Sequence, residues 1–322
     1  MFTLAELEAA VPVVRAVVPP TPQFAWPLLA ARLGTAVVVK HENHTPIGAF
    51  KVRGGLTYFE RLKRERPQVK GVVSATRGNH GQSLAFAGSR AGVAVTIVVP
   101  RGNSAEKNAA MRAFGAELVE HGRDFDEARA RAEALAAERG LEYAPSFHKD
   151  LVVGVATYAL ELFRAEPGLD TVYVPIGLGS GVCGVIGARD ALGLKTRVVG
   201  VVSDRANAYR LSFEKGEKIS TESSNTFADG VAVRVPDAEA LERIRRGAER
   251  VVEVSDDEVA EAIRILFTDT HSTAEGAGAA ALAGFIKNRS PREKKVALIL
   301  TGQNIDRPLM QEVLAGRTPR VA

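Results

Sequence analysis

Residues 171–184 read TVYVPIGLGSGVCG. The opening run, TVYVPI, is uncharged and rich in β-branched and aromatic residues, as a strand covered on both faces requires. Glycines at 177, 179 and 181 then break the run, and a helix is expected to follow. A strand feeding a helix through a glycine turn is the repeating unit of wound parallel sheets. Such a turn lets backbone approach an anion closely, and the free N–H groups at the helix start attract negative charge. A phosphate is the natural occupant. Taken alone, Gly179-x-Gly181-x-x-Gly184, with Asp204 further along, also meets a dinucleotide fingerprint, which would make the chain a nicotinamide-dependent oxidoreductase. A tight turn holding no ligand is the third reading.

The same unit recurs along the chain. Strands are expected at TAVVVKH (35–41), GVVSA (71–75), AVTIVVP (94–100), AELVEH (116–121), RVVGVVS (197–203) and VALILT (296–301). Helical patterns lie between them at 79–92, 103–115, 124–140 and 256–270. The fold class is therefore α/β with two open parallel sheets. Three compact strand–helix units fall within 52–145 and predict a small inserted domain. Residues 1–51 and 146–322 then make the larger domain, which carries the glycine loop and the cofactor.

Composition narrows the function classes. The 322 residues are 46% hydrophobic and 25% charged, ordinary values for a globular chain with a real core. The net charge of +4 is spread along the sequence with no basic tract, which argues against nucleic acid as a partner. Cys183 is the only cysteine, so no internal disulfide can form. No segment has the ~18 uninterrupted apolar residues of a membrane span, and the N-terminus does not resemble a secretory signal. A cytoplasmic protein with no membrane partner is expected.

Ligands of open parallel sheets bind beyond the carboxyl ends of the strands. That rule selects four segments: 40–55, SATRGNHGQS (74–83), the glycine loop, and LTGQN (300–304). In HENHTPIGAFKVRGG (41–55), Lys51 follows Phe50 and Ala49 and precedes Gly54 and Gly55, small neighbours that leave the amine uncrowded. An amine beside a phosphate loop suits a phosphorylated aldehyde cofactor better than hydride transfer.

KHENHTPIGAFKVRGG closely resembles the lysine motif of fold-type II pyridoxal-phosphate enzymes. These have the tryptophan synthase beta-subunit-like fold and include threonine and serine dehydratases and serine racemase. The resemblance runs in order through GNHGQ, the glycine loop, TFADGVAVR (226–234), AEGAGAAAL (274–282) and LTGQN. It implies that Lys51 holds pyridoxal 5'-phosphate as a Schiff base and later serves as the base at Cα. Phe50 would lie near the cofactor ring and Asn79 would bond its phenolic oxygen. Gly177, Leu178, Gly179, Ser180 and Gly181 would wrap the phosphate. Thr301 would face the pyridine nitrogen, and the segment Thr76, Arg77, Gly78, Asn79, His80 would receive the substrate carboxylate. The implied reaction is β-elimination from a β-hydroxy amino acid, L-threonine or L-serine first. Hydroxyaspartate and phenylserine are alternative substrates, and racemisation is an alternative reaction. A homodimer is the family expectation.

Several positions depart from the family pattern. Ala49 replaces a small hydroxyl residue, with little consequence expected. Arg77 stands where serine racemase carries a proton-donating serine, and a guanidinium has no proton to trade at neutral pH. Racemisation by that route is not expected, and Arg77 is instead a candidate partner for a substrate acid. The acids of a related divalent-metal site fall at Val202 and Ala208, leaving only Asp204, so no metal is expected. The sequence ends soon after LTGQN, at Ala322, which predicts no C-terminal regulatory domain.

Overall fold

Each of the seven runs expected as strands forms one in the computed structural model, which describes residues 2–320. In chain order the strands are β1 (Gln23–Ala25), β2 (Val37–His41), β3 (Gly71–Ala75), β4 (Ala94–Val99) and β5 (Glu117–Glu120). They continue as β6 (Glu142–Tyr143), β7 (Thr171–Pro175), β8 (Arg197–Ser203), β9 (Arg250–Val254) and β10 (Val296–Leu300). Two sheets result, ordered β1-β2-β10-β7-β8-β9 and β5-β4-β3-β6. All pairings are parallel except the edge pair β1–β2.

The larger sheet shows why uncharged runs were needed. Along β7, Val172 and Val174 enter one hydrophobic cluster while Tyr173 enters the other. Along β8, Val198 and Val202 face the first cluster and Val199 and Val201 the second. Side chains alternate with period two, so both parities must be apolar when both faces are covered. β2, β7 and β10 are buried at every residue.

Register aligns the strand ends. Leu300 of β10 pairs with His41 of β2, and Val296 pairs with both Val37 and Thr171. Consequently the segments after His41, Pro175 and Leu300 leave one edge of one sheet. The helix Lys51–Glu65 then crosses toward the smaller sheet, packing on the helix Lys149–Ala165.

That crossing gives Gly54 and Gly55 a role the sequence reading did not give them. A Cβ on Gly54 would sit 2.6 Å from the Leu151 carbonyl oxygen, and one on Gly55 would sit 2.4 Å from Ser83 Oγ. Across the contact, a Cβ on Gly154 would meet Thr57 Oγ1 at 2.1 Å. These glycines permit close helix packing; they do more than leave space around Lys51. Beneath them, fully buried Arg53 pairs with Glu42 at 2.8 Å and Glu161 at 2.9 Å, and buried Lys40 completes the cluster on Glu161 at 2.8 Å. Two cations and two carboxylates balance one another and tie the start of the helix to β2 and to Lys149–Ala165. No helix among the described residues is long and apolar enough to cross a membrane.

Candidate active site

The cleft between the sheets encloses a cavity of about 530 Å³, lined by Phe50, Lys51, Thr76–His80, Gly177–Gly181 and Thr301. All the candidate residues therefore meet in one place. Lys51, the first residue of its helix, donates from Nζ to Ser180 Oγ at 2.9 Å. Burial pulls its pKa down to about 8. Its tip opens on the cleft, so the side chain is only half-buried by surface, yet the protein walls remove it from bulk water. Phe50 stands edge-on to Tyr158 at 6.2 Å, and the Tyr158 hydroxyl donates to the Gly181 carbonyl at 3.2 Å. The lysine helix and the glycine loop are thus fixed to one another.

Glycine is required in the loop for two separate reasons. A Cβ on Gly177 would lie 2.4 Å from the Gly230 carbonyl oxygen. Gly179 adopts φ +100°, a conformation side-chain-bearing residues avoid, and caps the helix Ser180–Ala191 without any side-chain hydrogen bond. The first amides of that 12-residue helix have no helical acceptor, and its first two residues, Ser180 and Gly181, line the cavity. Leu178 is held through its carbonyl by the Tyr209 hydroxyl at 3.1 Å. An amine of depressed pKa next to an amide cradle for a phosphate fits pyridoxal phosphate, which carries one aldehyde and one phosphate.

The dinucleotide reading fails on position. Gly184, its third glycine, packs against the helix Lys149–Ala165, where a Cβ would meet the Ala156 amide nitrogen at 3.2 Å. Asp204 lies in a short turn after β8 and does not line the cavity.

At the second loop, Thr76 is buried and its amide donates to the Val98 carbonyl at 3.1 Å. The Gly78 amide donates to Thr76 Oγ1 at 3.1 Å. Two of the amides expected to receive a substrate carboxylate are therefore already engaged. Those of Arg77, Asn79 and His80 remain, the last two beginning the helix Asn79–Ala91. His80 is buried, and burial together with the Lys51 charge pulls its pKa down to about 3, so the imidazole is neutral. Arg77 is exposed at the mouth and has no hydrogen-bond or ion-pair partner among the described residues. Thr301 is buried, and its carbonyl accepts from the Phe50 amide at 3.0 Å.

Four residues linked to Asn79 by hydrogen bonds and ion pairs escaped the sequence reading. Asn79 Nδ2 donates to Glu275 Oε1 at 2.6 Å, and Asn304 Nδ2 donates to Asn79 Oδ1 at 2.8 Å. Glu275 also faces Lys107 Nζ at 3.5 Å, and Lys107 donates to Asp229 as well. Burial alone would lower the Lys107 pKa, but the two carboxylates reverse this and hold it above the ordinary lysine range. Burial pushes Glu275 up to about 7 against the pull of Lys107, and Asp229 adds to the rise. One cation thus serves two carboxylates: Lys107 keeps its proton, and Glu275 takes one up at a higher pH than an ordinary carboxyl does. TFADGVAVR and AEGAGAAAL, quoted for family resemblance only, were the available signal for Asp229 and Glu275.

The pattern of the pyridoxal-phosphate dependent enzymes matches residues 14–302. The L-threonine ammonia-lyase of Geobacter sulfurreducens is 36% identical over 85% of this chain and 69% of its own length. The biosynthetic L-threonine dehydratase of Salmonella typhimurium is 33% identical over 89% of this chain, which spans 56% of that longer enzyme. Among solved structures, a pyridoxal 5'-phosphate-dependent aspartate racemase superposes with a TM-score of 0.89 at 29% identity, covering 94% of this chain and 96% of that one. The chain belongs to the family of pyridoxal-phosphate dependent enzymes.

Proposed function

We propose that the protein eliminates water from a β-hydroxy amino acid, with L-threonine and L-serine as the reference substrates, to give a 2-oxo acid and ammonium. The carrying observation is Lys51: an amine with no acidic partner among the described residues, depressed to about 8, placed 2.9 Å from Ser180 at the glycine cradle. When bound, pyridoxal phosphate supplies an electron sink that acidifies the α-proton of an attached amino acid. Gly177–Gly181 would hold its phosphate by backbone amides, Phe50 would lie beside its ring, and Asn79, which bonds Glu275 and Asn304, would meet its phenolic oxygen. Thr301 would offer the ring nitrogen a neutral hydroxyl, a weaker support for the sink than a carboxylate and one that suits prompt loss of a β-substituent.

Lys51 is the base. A near-neutral pKa leaves a useful fraction of free amine at pH 7, whereas Lys107, clamped by two carboxylates, cannot accept a proton. The amides of Arg77, Asn79 and His80 hold the substrate carboxylate, using the positive end of the helix Asn79–Ala91. Lys51 removes the proton from Cα, the Cβ–O bond breaks with its electron pair on oxygen, and the hydroxyl leaves as water, the proton it gains balancing the one Lys51 took from Cα. The enamine released then hydrolyses. The names of the two relatives, a threonine dehydratase and a threonine ammonia-lyase, support elimination. Arg77, at the position of a proton-donating serine, weighs against racemisation.

In this reading residues 52–145 form a small unit inserted into a larger cofactor-binding one made of 1–51 and 146–322. The smaller sheet lies wholly within that range, although Val14, Val18, Ile47 and Ala49 share its core. A homodimer is part of the proposal, supported by exposed Phe24 and Leu28 beside the sheet edge. The test is a panel of L-threonine, L-serine, 3-hydroxyaspartate and phenylserine with cofactor-loaded protein, assayed for 2-oxo acid. Release from at least one, abolished in Lys51→Ala, is expected; a loaded protein that releases none sinks the proposal.

A further inference from the structure

The walls of the cleft beyond the cofactor segments carry charge that is almost entirely compensated. Lys107 is matched by Asp229 and Glu275. Arg234 pairs with Asp126 and lies 3.9 Å from Asp124, and Arg129 lies 3.9 Å from both Asp126 and Glu133. Asp124 and Asp237 additionally cap helices, accepting the Glu127 and Ala240 amides at 2.9 Å. Every acid on these walls is thus committed to a partner.

On the basic side Arg77 has no such match. It leaves the turn between β3 and the helix Asn79–Ala91, next to the amides assigned to the substrate carboxylate, and lines the cavity. It is exposed and has no ion pair or hydrogen bond among the described residues. Exposed Lys218 also lines the cavity and likewise has no ion pair or hydrogen bond among the described residues. Two anions are already provided for in the elimination reading: the cofactor phosphate at the glycine cradle and the α-carboxylate at the helix start. A guanidinium that lines the same cavity without a partner is available for a third. Its planar fork matches a carboxylate with two parallel hydrogen bonds, and an exposed group loses little hydration in making them.

We propose that Arg77 is a specificity-determining residue that selects substrates bearing a second carboxylate on the side chain, so that the preferred β-hydroxy amino acid is a 3-hydroxy dicarboxylate. This rests on the proposed elimination and names the substrate class at that same site. An aryl side chain could use the wall of Phe125, Tyr143 and Phe147 but would leave Arg77 without a charge partner. Phenylserine is therefore the competing substrate in the test.

The test combines calorimetric binding with turnover on the cofactor-loaded protein. Succinate and butyrate, neither of which can be eliminated, measure the value of a second carboxylate. Succinate is expected to bind at least ~10-fold more tightly, with the gap narrowing as salt is raised. Arg77→Gln should remove that gap, and Arg77→Lys should keep part of it. In turnover, Arg77→Gln should lower the kcat/KM ratio of 3-hydroxyaspartate to serine by ~10- to 100-fold. Equal binding of succinate and butyrate, equal losses on both substrates, or a wild-type preference for phenylserine would overturn the inference. If the dicarboxylate preference is present and lost in Arg77→Gln while no amino acid yields a 2-oxo acid, Arg77 recognition stands and elimination falls. If threonine yields a 2-oxo acid with no dicarboxylate preference, elimination stands and the Arg77 inference falls.

Discussion

Replacing Lys51 by methionine should stabilise the cofactor-free protein, and by an amount that depends on pH. The amine sits where burial lowers its pKa from 10.5 to about 8. Each tenfold loss of proton affinity is worth about 1.36 kcal/mol, so the full penalty of keeping Lys51 charged in the fold is ~3.4 kcal/mol. Water entering the cleft screens part of this, and ~2 kcal/mol is expected at pH 7. The sign follows from proton binding. Between pH 8 and 10.5 the unfolded chain holds the lysine proton more tightly than the folded one, so wild-type stability rises with pH. The penalty is complete below about pH 8 and fades toward 10.5. Methionine has no such penalty. Urea unfolding of both cofactor-free proteins at pH 7 and pH 10 isolates the effect, because all other titrating groups are shared. Lys51→Met should be more stable by ~2 kcal/mol at the lower pH, and most of that advantage should vanish at the higher. An advantage of equal size at both would mean that the amine is solvated like a surface lysine, and the assignment of Lys51 as a free base would fail.

Three further outcomes follow from the geometry. Gly177→Ala places a Cβ 2.4 Å from the Gly230 backbone oxygen, which has no flexible end to give way. Cofactor affinity measured by absorbance titration should fall at least ~10-fold. Arg53→Met strands Glu42 and Glu161 with Lys40 as their one cation, and breaking a buried pair of this kind should cost ~3–5 kcal/mol in chemical denaturation. Glu275, raised to about 7, contributes stability that is fully present below the ordinary carboxyl pKa of 4.5 and is lost as pH rises through 7. The stability of Glu275→Gln relative to wild type should therefore improve from pH 5 to pH 8, and a constant difference would deny the buried charge cluster.

How much could be read from the sequence depended on how local each feature is. β7 and β8 were legible because apolar side chains fill both parities of the strand, a pattern that needs no partner to interpret. β1, with three residues, and β6, with two, exist only through pairing with β2 and β3, and their own sequences carry no comparable signal. β9, RVVEV, mixes charge into its run and lies at the sheet edge, where such residues are tolerated. Lys51 and Gly177–Gly181 belong to contiguous motifs with a chemical reading of their own. The cluster of Lys107, Asp229 and Glu275 comes from three separated segments, and only tertiary packing brings them to Asn79. Gly54 and Gly55 were tied to Lys51 by sequence proximity, while their space is taken by Leu151 and Ser83 from other elements.

The cleft contains two buried-site lysines, and the central claim is that only Lys51 carries the cofactor. Reduction of the pyridoxal-phosphate-loaded protein with borohydride, followed by digestion and mass mapping, fixes the label where the covalent bond was. The account predicts the pyridoxyl group on the peptide containing Lys51 alone, with no label and no visible absorbance band in Lys51→Ala. Label on Lys107, or a loaded protein that yields no labelled peptide, would contradict it.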